Sequence, residues 1–279
     1  MKYFIYNGKV YAEDVMIAGP ESRGLRYGDG LFETMRYANN KLAFADEHFS
    51  RLWKGMQVLG FEIPKHFNQD TLQSMVTELL VKNGHQLSAR VRVSVFRGDG
   101  GLYDPVNHQP QFSIQTWAME SNHGQWNSNG LVVGIHEGAR KSCDILSNLK
   151  HNNFLPYILA AQEAKRLKWN DAILLNQHGR ICDSSIANIF LITNDLVFTP
   201  ALEEGCVAGV MRKAVIQELK SRLYNVEEKA VTVDDLFSAD EIFLTNSIHP
   251  IRWVKEIKHG TYTNNRTQKI YSELVQTIL

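Results

Sequence analysis

Asn148-Leu149-Lys150-His151-Asn152-Asn153 sets a lysine between polar neighbours and the start of an apolar run. The run, Asn153–Leu167, has the spacing of a helix, and Pro156 is tolerated because it falls in the first turn, where its missing N–H is not needed. A lone lysine is ordinarily a solvated charge. This one opens a helix in the middle of the chain and has strand-like segments on both sides. Leu131–His136 precedes it; Ala172–Asn176 and Asn188–Ile192 follow, predicted to pair around a turn at His178-Gly179. Further out, the pattern predicts a helix over Val210–Leu223 behind Gly209, a strand over Asp240–Thr245 and a final helix over 265–278.

Towards the N-terminus, Tyr3–Tyr6 and Lys9–Tyr11 flank Asn7-Gly8, a strong hairpin signal. A glycine-rich segment follows, Tyr27-Gly28-Asp29-Gly30-Leu31-Phe32-Glu33-Thr34. Phe49, Leu52, Trp53, Met56 and Leu59 recur at helical spacing within 46–60, and a second helix is predicted over 69–83, ended near Asn83-Gly84. Residues 89–97 alternate, with Val91, Val93 and Val95 on one face and Arg90, Arg92 and Ser94 on the other, so they read as a strand with one buried face. The strand runs into Arg97-Gly98-Asp99-Gly100-Gly101, a flexible turn. Residues 119–130 are polar and rich in Asn, Ser and Gly, which suits an interdomain linker between residues 1–118 and 131–279. Strands and helices mix without a strict strand–helix repeat, so the predicted class is α+β in two domains.

Composition narrows the function classes. The 279 residues hold 30 Lys+Arg against 30 Asp+Glu, which argues against a broad nucleic-acid or membrane surface. Apolar runs such as those at 172–175 and 189–192 are far too short to span a bilayer, and the first residues lack a signal-peptide stretch. Three cysteines, Cys143, Cys182 and Cys206, suit a reducing compartment better than a disulfide framework, so a cytoplasmic location is expected. No Walker loop, HExxH, paired CxxC or GxSxG occurs, the histidines form no ligand-like cluster, and no metal is expected. Gly28-Asp29-Gly30 lacks the third glycine and the helix context of a dinucleotide fingerprint.

Four segments in order, Tyr27–Thr34, His48-Phe-Ser-Arg-Leu52, Asn148–Asn153 and Asp183-Ser-Ser-Ile-Ala-Asn-Ile-Phe190, together resemble the fold-type IV enzymes that use pyridoxal 5′-phosphate (PLP). That family includes branched-chain and D-amino-acid aminotransferases and aminodeoxychorismate lyases. The resemblance covers essentially the whole chain. It implies a D-amino-acid aminotransferase-like fold, with a small N-terminal α/β domain, a larger C-terminal domain and the cofactor between them. It also implies a homodimer.

By this similarity Lys150 is the Schiff-base lysine and the proton shuttle. Arg51 matches the arginine that pairs with the cofactor phosphate, a group its two parallel N–H donors suit. Gly209-Val210-Met211, at a helix start, and Asn246 and Ser247, at a strand end, complete the expected phosphate cup. Asp183 matches the carboxylate that keeps the pyridine nitrogen protonated. The family usually has Glu there, so this side chain is shorter by one carbon–carbon bond, about 1.5 Å.

Several details lean towards the lyases. Lys150 is followed by His151-Asn152-Asn153, Leu155 stands where branched-chain aminotransferases carry a tyrosine, and Asn246-Ser247-Ile248-His249-Pro250 and Arg97–Gly101 resemble lyase segments. The implied substrate is 4-amino-4-deoxychorismate, split to 4-aminobenzoate and pyruvate in folate synthesis. Arg92 and then Arg97 are the candidate partners for its carboxylates, with Tyr27 and Phe32 lining the pocket. The alternatives are an aminotransferase of branched-chain or D-amino acids with a 2-oxo acid acceptor, and a non-catalytic PLP-binding homologue.

Overall fold

The computed structural model describes residues 2–120 and 124–278, and the chain divides into two compact units. Unit one is 1–123 together with Leu149–Asn153; unit two is Gly124–Asn148 with 154–279. Part of the expected linker, residues 121–123, lies outside the described residues.

Unit one contains β1 (Tyr3–Tyr6), β2 (Lys9–Ala12), α1 (Arg23–Tyr27), β3 (Gly30–Ala38), β4 (Lys41–Leu42), α2 (Ala45–Val58), α3 (Gln69–Asn83), β5 (Ser88–Arg97) and β6 (Pro110–Ala118). The strands form a six-stranded sheet in the order β2-β1-β6-β5-β3-β4. Asn7 and Gly8 both adopt positive φ (46° and 78°), the geometry that folds β2 back onto β1. The valines of β5 and Leu31 and Met35 of β3 are buried in one cluster with Phe49, Leu52 and Met56 of α2 and Leu72, Val76 and Leu79 of α3. Alternation therefore puts Phe32, Thr34 and Arg36 of β3, and Arg90, Arg92 and Ser94 of β5, on the opposite face.

The segment Leu149–Asn153 joins this unit as a short extra pairing. Phe32 N–H donates to the Lys150 carbonyl at 2.9 Å, and Asn152 N–H donates to the Gly30 carbonyl at 2.9 Å. A Cβ on Gly30 would lie 2.2 Å from the Val95 carbonyl oxygen and 2.8 Å from Asn152 Nδ2, so only glycine allows the three segments to meet. Where the sequence division runs unbroken from 131 to 279, the fold thus returns the Lys150 segment to the first sheet.

Unit two contains β7 (Leu131–Lys141), α4 (Leu155–Leu167), β8 (Asp171–Asn176), β9 (Ile181–Ser184), β10 (Asn188–Thr193), β11 (Leu196–Pro200), α5 (Val210–Ser221), β12 (Asn225–Lys229), α6 (Val233–Ser238), β13 (Glu241–Thr245), β14 (Arg252–Ile257), β15 (Gly260–Thr261) and α7 (Asn265–Ile278). Its mixed sheet runs β12-β11-β10-β13-β14-β7-β8-β9, with β15 on β14. One expected pairing is corrected. The turn at His178-Gly179 returns β8 onto β9, and β10 pairs instead with β11 and β13. The turn is tight, with Gly179 at φ 74°, so it delivers the very next residues, Ile181–Ser184, to the neighbouring position. That short strand is wholly buried, and it carries Asp183.

Among the described residues no helix is long and apolar enough to cross a membrane, and no group of His, Cys, Asp and Glu is arranged to hold a metal ion.

Candidate active site

In unit one, the pairing of Leu149–Asn153 with β3 brings Lys150 beside Phe32. Lys150 Nζ lies 4.6 Å from the centroid of the Phe32 ring, and the Arg92 guanidinium carbon lies 3.8 Å from the same centroid. Arg92 Nε also donates to Ser94 Oγ at 3.0 Å. Burial, and then the neighbouring charge of Arg90, lower the pKa of Arg92 from its usual value. Arg36 stands opposite Arg90 across β3 and β5, and Thr34 opposite Arg92, so three arginines share one sheet face. Sequence reasoning singled out Arg92 alone. Arg36 lies in β3, which was read only as a glycine-rich segment, so its face could not be assigned.

Arg51 projects from α2 and is held flat by a second carboxylate. Its Nε and Nη2 donate to Glu33 Oε1 and Oε2 at 2.8 and 2.5 Å, and His48 Nδ1 sits 2.6 Å from Oε2. Burial alone would raise the pKa of Glu33. The charge of Arg51 and the hydrogen bonds from His48 and Arg51 outweigh it and hold Glu33 at about 2. Glu33, which the sequence reading placed only in a motif, fixes the plane of the guanidinium expected to meet a phosphate.

Arg97 serves the fold. Its Nε pairs with Asp29 at 2.9 Å, its Nη2 and Nη1 donate to the carbonyls of Leu59 and Gly60 at 2.6 and 3.3 Å, and it stacks over Phe61. At 5% exposure it ties β5 to the end of α2. Asp29 also pairs with Arg23, whose other donors reach the carbonyls of Gly100, Leu102 and Tyr103 and pin the glycine-rich turn. Tyr27 packs 5.9 Å from Tyr103, and the guanidinium of Arg23 lies over its ring.

In unit two, the residues expected to meet a phosphate are neighbours. Gly209 is the N-cap of α5 and offers no side-chain cap, so the first-turn N–H groups of Val210 and Met211 have no partner within the helix. A Cβ on Gly209 would lie 2.0 Å from Asn188 Oδ1, and Asn188 is the cross-strand partner of Thr245. Thr245 Oγ1 is buried and has no hydrogen-bond partner among the described residues. It directly precedes Asn246 and Ser247, and Asn246 Oδ1 accepts from the amides of Ile248 and His249 and so shapes the turn. An orphaned hydroxyl beside uncapped helical N–H groups is a donor set that fits an anion of phosphate type.

Asp183 is 2% exposed and accepts from Val207 N–H at 3.0 Å, Tyr157 hydroxyl at 2.8 Å and Lys141 Nζ at 3.2 Å. Neither Lys141 nor Tyr157 was legible as a site residue, since they lie 42 and 26 positions away in the chain. Leu155 is 70% exposed. The phenol that reaches the carboxylate comes from Tyr157.

With this geometry in view, residues 30–257 match the family model for amino-transferase class IV, and the chain belongs to that family of enzymes. It is 29% identical to an aminodeoxychorismate lyase of Vibrio harveyi over 81% of this chain and 82% of that one. It is 27% identical to a D-alanine aminotransferase of Bacillus licheniformis over 99% and 96%. In structure it is similar to a branched-chain aminotransferase of Thermoproteus uzoniensis with norvaline, at a TM-score of 0.89 and 24% identity, over 99% of this chain and 94% of that one. The fold is therefore the two-domain fold of these enzymes.

Proposed function

We propose that this chain is a PLP-dependent lyase that converts 4-amino-4-deoxychorismate to 4-aminobenzoate and pyruvate. The observation that carries the reading is the set on the unit-one sheet: the Lys150 amine and the Arg92 guanidinium against one Phe32 ring, with Arg36 and Arg90 on the same face. A dicarboxylate with a flat ring asks for an amine, an apolar wall and more than one cation, and this face supplies all three.

PLP supplies an electron sink for the reaction. Lys150 would hold the cofactor through its amine and would serve as the base for the proton on the amine-bearing carbon of the substrate. Arg51, oriented by Glu33, would pair with phosphate charge. The start of α5 and the Thr245–Ser247 turn would offer donors to a phosphate, and Asp183 would accept from the ring nitrogen. Arg92 orients a substrate carboxylate and excludes water from the Phe32 side. Loss of the enolpyruvyl group as pyruvate leaves an aromatic ring, which drives the step forward.

The second reading, an aminotransferase, is supported by relatives of both kinds at nearly equal identity. It shares the first proton transfer and differs in where the proton returns. A homodimer fits the exposed apolar side chains of α4, Leu155, Ile158 and Leu159, and sedimentation of the purified protein tests it.

The deciding experiment gives the PLP-loaded protein 4-amino-4-deoxychorismate and follows 4-aminobenzoate fluorescence. Release that disappears in Lys150→Ala supports the lyase. No release, with amino-group transfer from branched-chain or D-amino acids to a 2-oxo acid, establishes the transaminase instead.

A further inference from the structure

The three strong hydrogen bonds to Asp183 all end on one oxygen. Oδ2 takes Val207 N–H, the Tyr157 hydroxyl and Lys141 Nζ. Lys141 donates to the Tyr157 hydroxyl oxygen as well, which directs the proton of that hydroxyl at the carboxylate. Among the described residues Oδ1 has one hydrogen-bond neighbour, the Cys182 sulfur at 3.4 Å, and that sulfur lies closer, 3.2 Å, to the Leu174 carbonyl. A thiol has one proton and is a weak donor. Burial, and then the charge of Asp183, push Cys182 well above its usual pKa, so it remains a thiol. Oδ1 is thus a buried carboxylate oxygen, fixed in place and almost unspent.

The choice of donor is also informative. Lys141 is 7% exposed, and a neutral donor would satisfy the same lone pair without burying an ammonium. The other titratable groups around the carboxylate are the thiol of Cys206 and, acting on that thiol, Arg212 of α5. Arg212 is itself committed to Glu228 and to the Pro200 carbonyl. Lys141 is therefore the cation that meets Asp183 within unit two.

We propose that Lys141 and Tyr157 are positioning residues which lock Oδ2 of Asp183, present Oδ1 to the ring nitrogen of PLP, and make that nitrogen a weaker base than Asp183 alone would. The inference rests on the PLP reading above. Two cations that share one carboxylate oppose each other, so the charge on Lys141 lowers the hold of the ring nitrogen on its proton. Lys141 then sets how strongly the cofactor pulls electrons, without touching the reacting carbon.

The test loads wild type, Lys141→Met, Lys141→Arg and Tyr157→Phe with PLP labelled with ¹⁵N at the ring nitrogen and follows its NMR shift against pH. Lys141→Met should raise the pKa of the ring nitrogen by about one unit or more, the effect of a like charge removed at close range. Lys141→Arg should restore the wild-type value, and Tyr157→Phe, which keeps the charge, should move it less than Lys141→Met. If the Met variant does not fold, Lys141→Gln, which keeps a donor and loses the charge, carries the same expectation. A neutral variant that binds PLP and leaves the ring nitrogen at the wild-type value overturns the inference. Wild-type protein that takes up no PLP overturns the cofactor reading itself.

Discussion

Two buried carboxylates, one in each unit, use their oxygens differently. Glu33 is 1% exposed and spends both oxygens, Oε1 on Arg51 and Oε2 on Arg51 and His48. Asp183 is 2% exposed and spends one, leaving Oδ1 with a thiol. Burying a carboxylate is costly unless its acceptors are met. Glu33 meets that condition inside the protein, and so acts as an orienting group for Arg51. Asp183 does not meet it fully, and so is the one suited to a ligand donor. The arginines repeat the contrast: Arg97 is used up by Asp29 and two carbonyls, while Arg92 has one bond to Ser94 and a face against Phe32.

The strongest way to break this comparison is Glu33→Gln. Removing the charge leaves Arg51 and His48 buried without it, and a loss of about 3–5 kcal/mol in urea unfolding at neutral pH is expected. A loss under 1 kcal/mol would show that Glu33 is not the anchor described. The same pair of proteins gives a pH test. A carboxyl lowered from 4.5 to about 2 on folding contributes stability that is present above 4.5 and lost as pH falls towards 2, worth about 3 kcal/mol at 1.36 kcal/mol per unit. The stability gap between wild type and Glu33→Gln should therefore narrow between pH 4.5 and 2; a constant gap would contradict the depressed value.

Next in size is the arginine contrast. Arg97→Leu should cost about 2–4 kcal/mol of stability because it takes one of two arginines from half-buried Asp29 and strands two carbonyls. Arg92→Leu should change stability by less than about 1 kcal/mol and raise KM for a carboxylate substrate by about tenfold or more. Equal stability losses would erase the distinction. Within unit two the effect expected of Tyr157→Phe is small, about 1–2 kcal/mol in thermal melts of cofactor-free protein, for one donor lost from Oδ2. No change at all would mean that Lys141 and Val207 hold Asp183 unaided.

Much of the fold was legible because it is local. The Asn7-Gly8 hairpin, the helical spacing of Phe49, Leu52 and Met56, and the valine alternation of β5 each announce an element from a few adjacent residues. β3 was not read as a strand, because Gly28 and Gly30 suggest a loop. In the structure Gly28 is the left-handed C-cap of α1, at φ 63°, and Gly30 makes room for β5 and Asn152. The pairing of β10 was misread because a turn says that the chain reverses and does not say which later strand fills the gap. Lys150, Arg51 and Asp183 stood out through resemblance. Their partners Glu33, Lys141 and Tyr157 did not, because each meets its neighbour through tertiary pairing that no spacing in the chain records.

The most direct test of the central claim is to load the protein with PLP, reduce it with borohydride and locate the added mass by peptide mass spectrometry. The account predicts the reduced cofactor on Lys150 alone, and none in Lys150→Ala. Label on Lys141 or another lysine, or folded wild-type protein that takes up none, would contradict it.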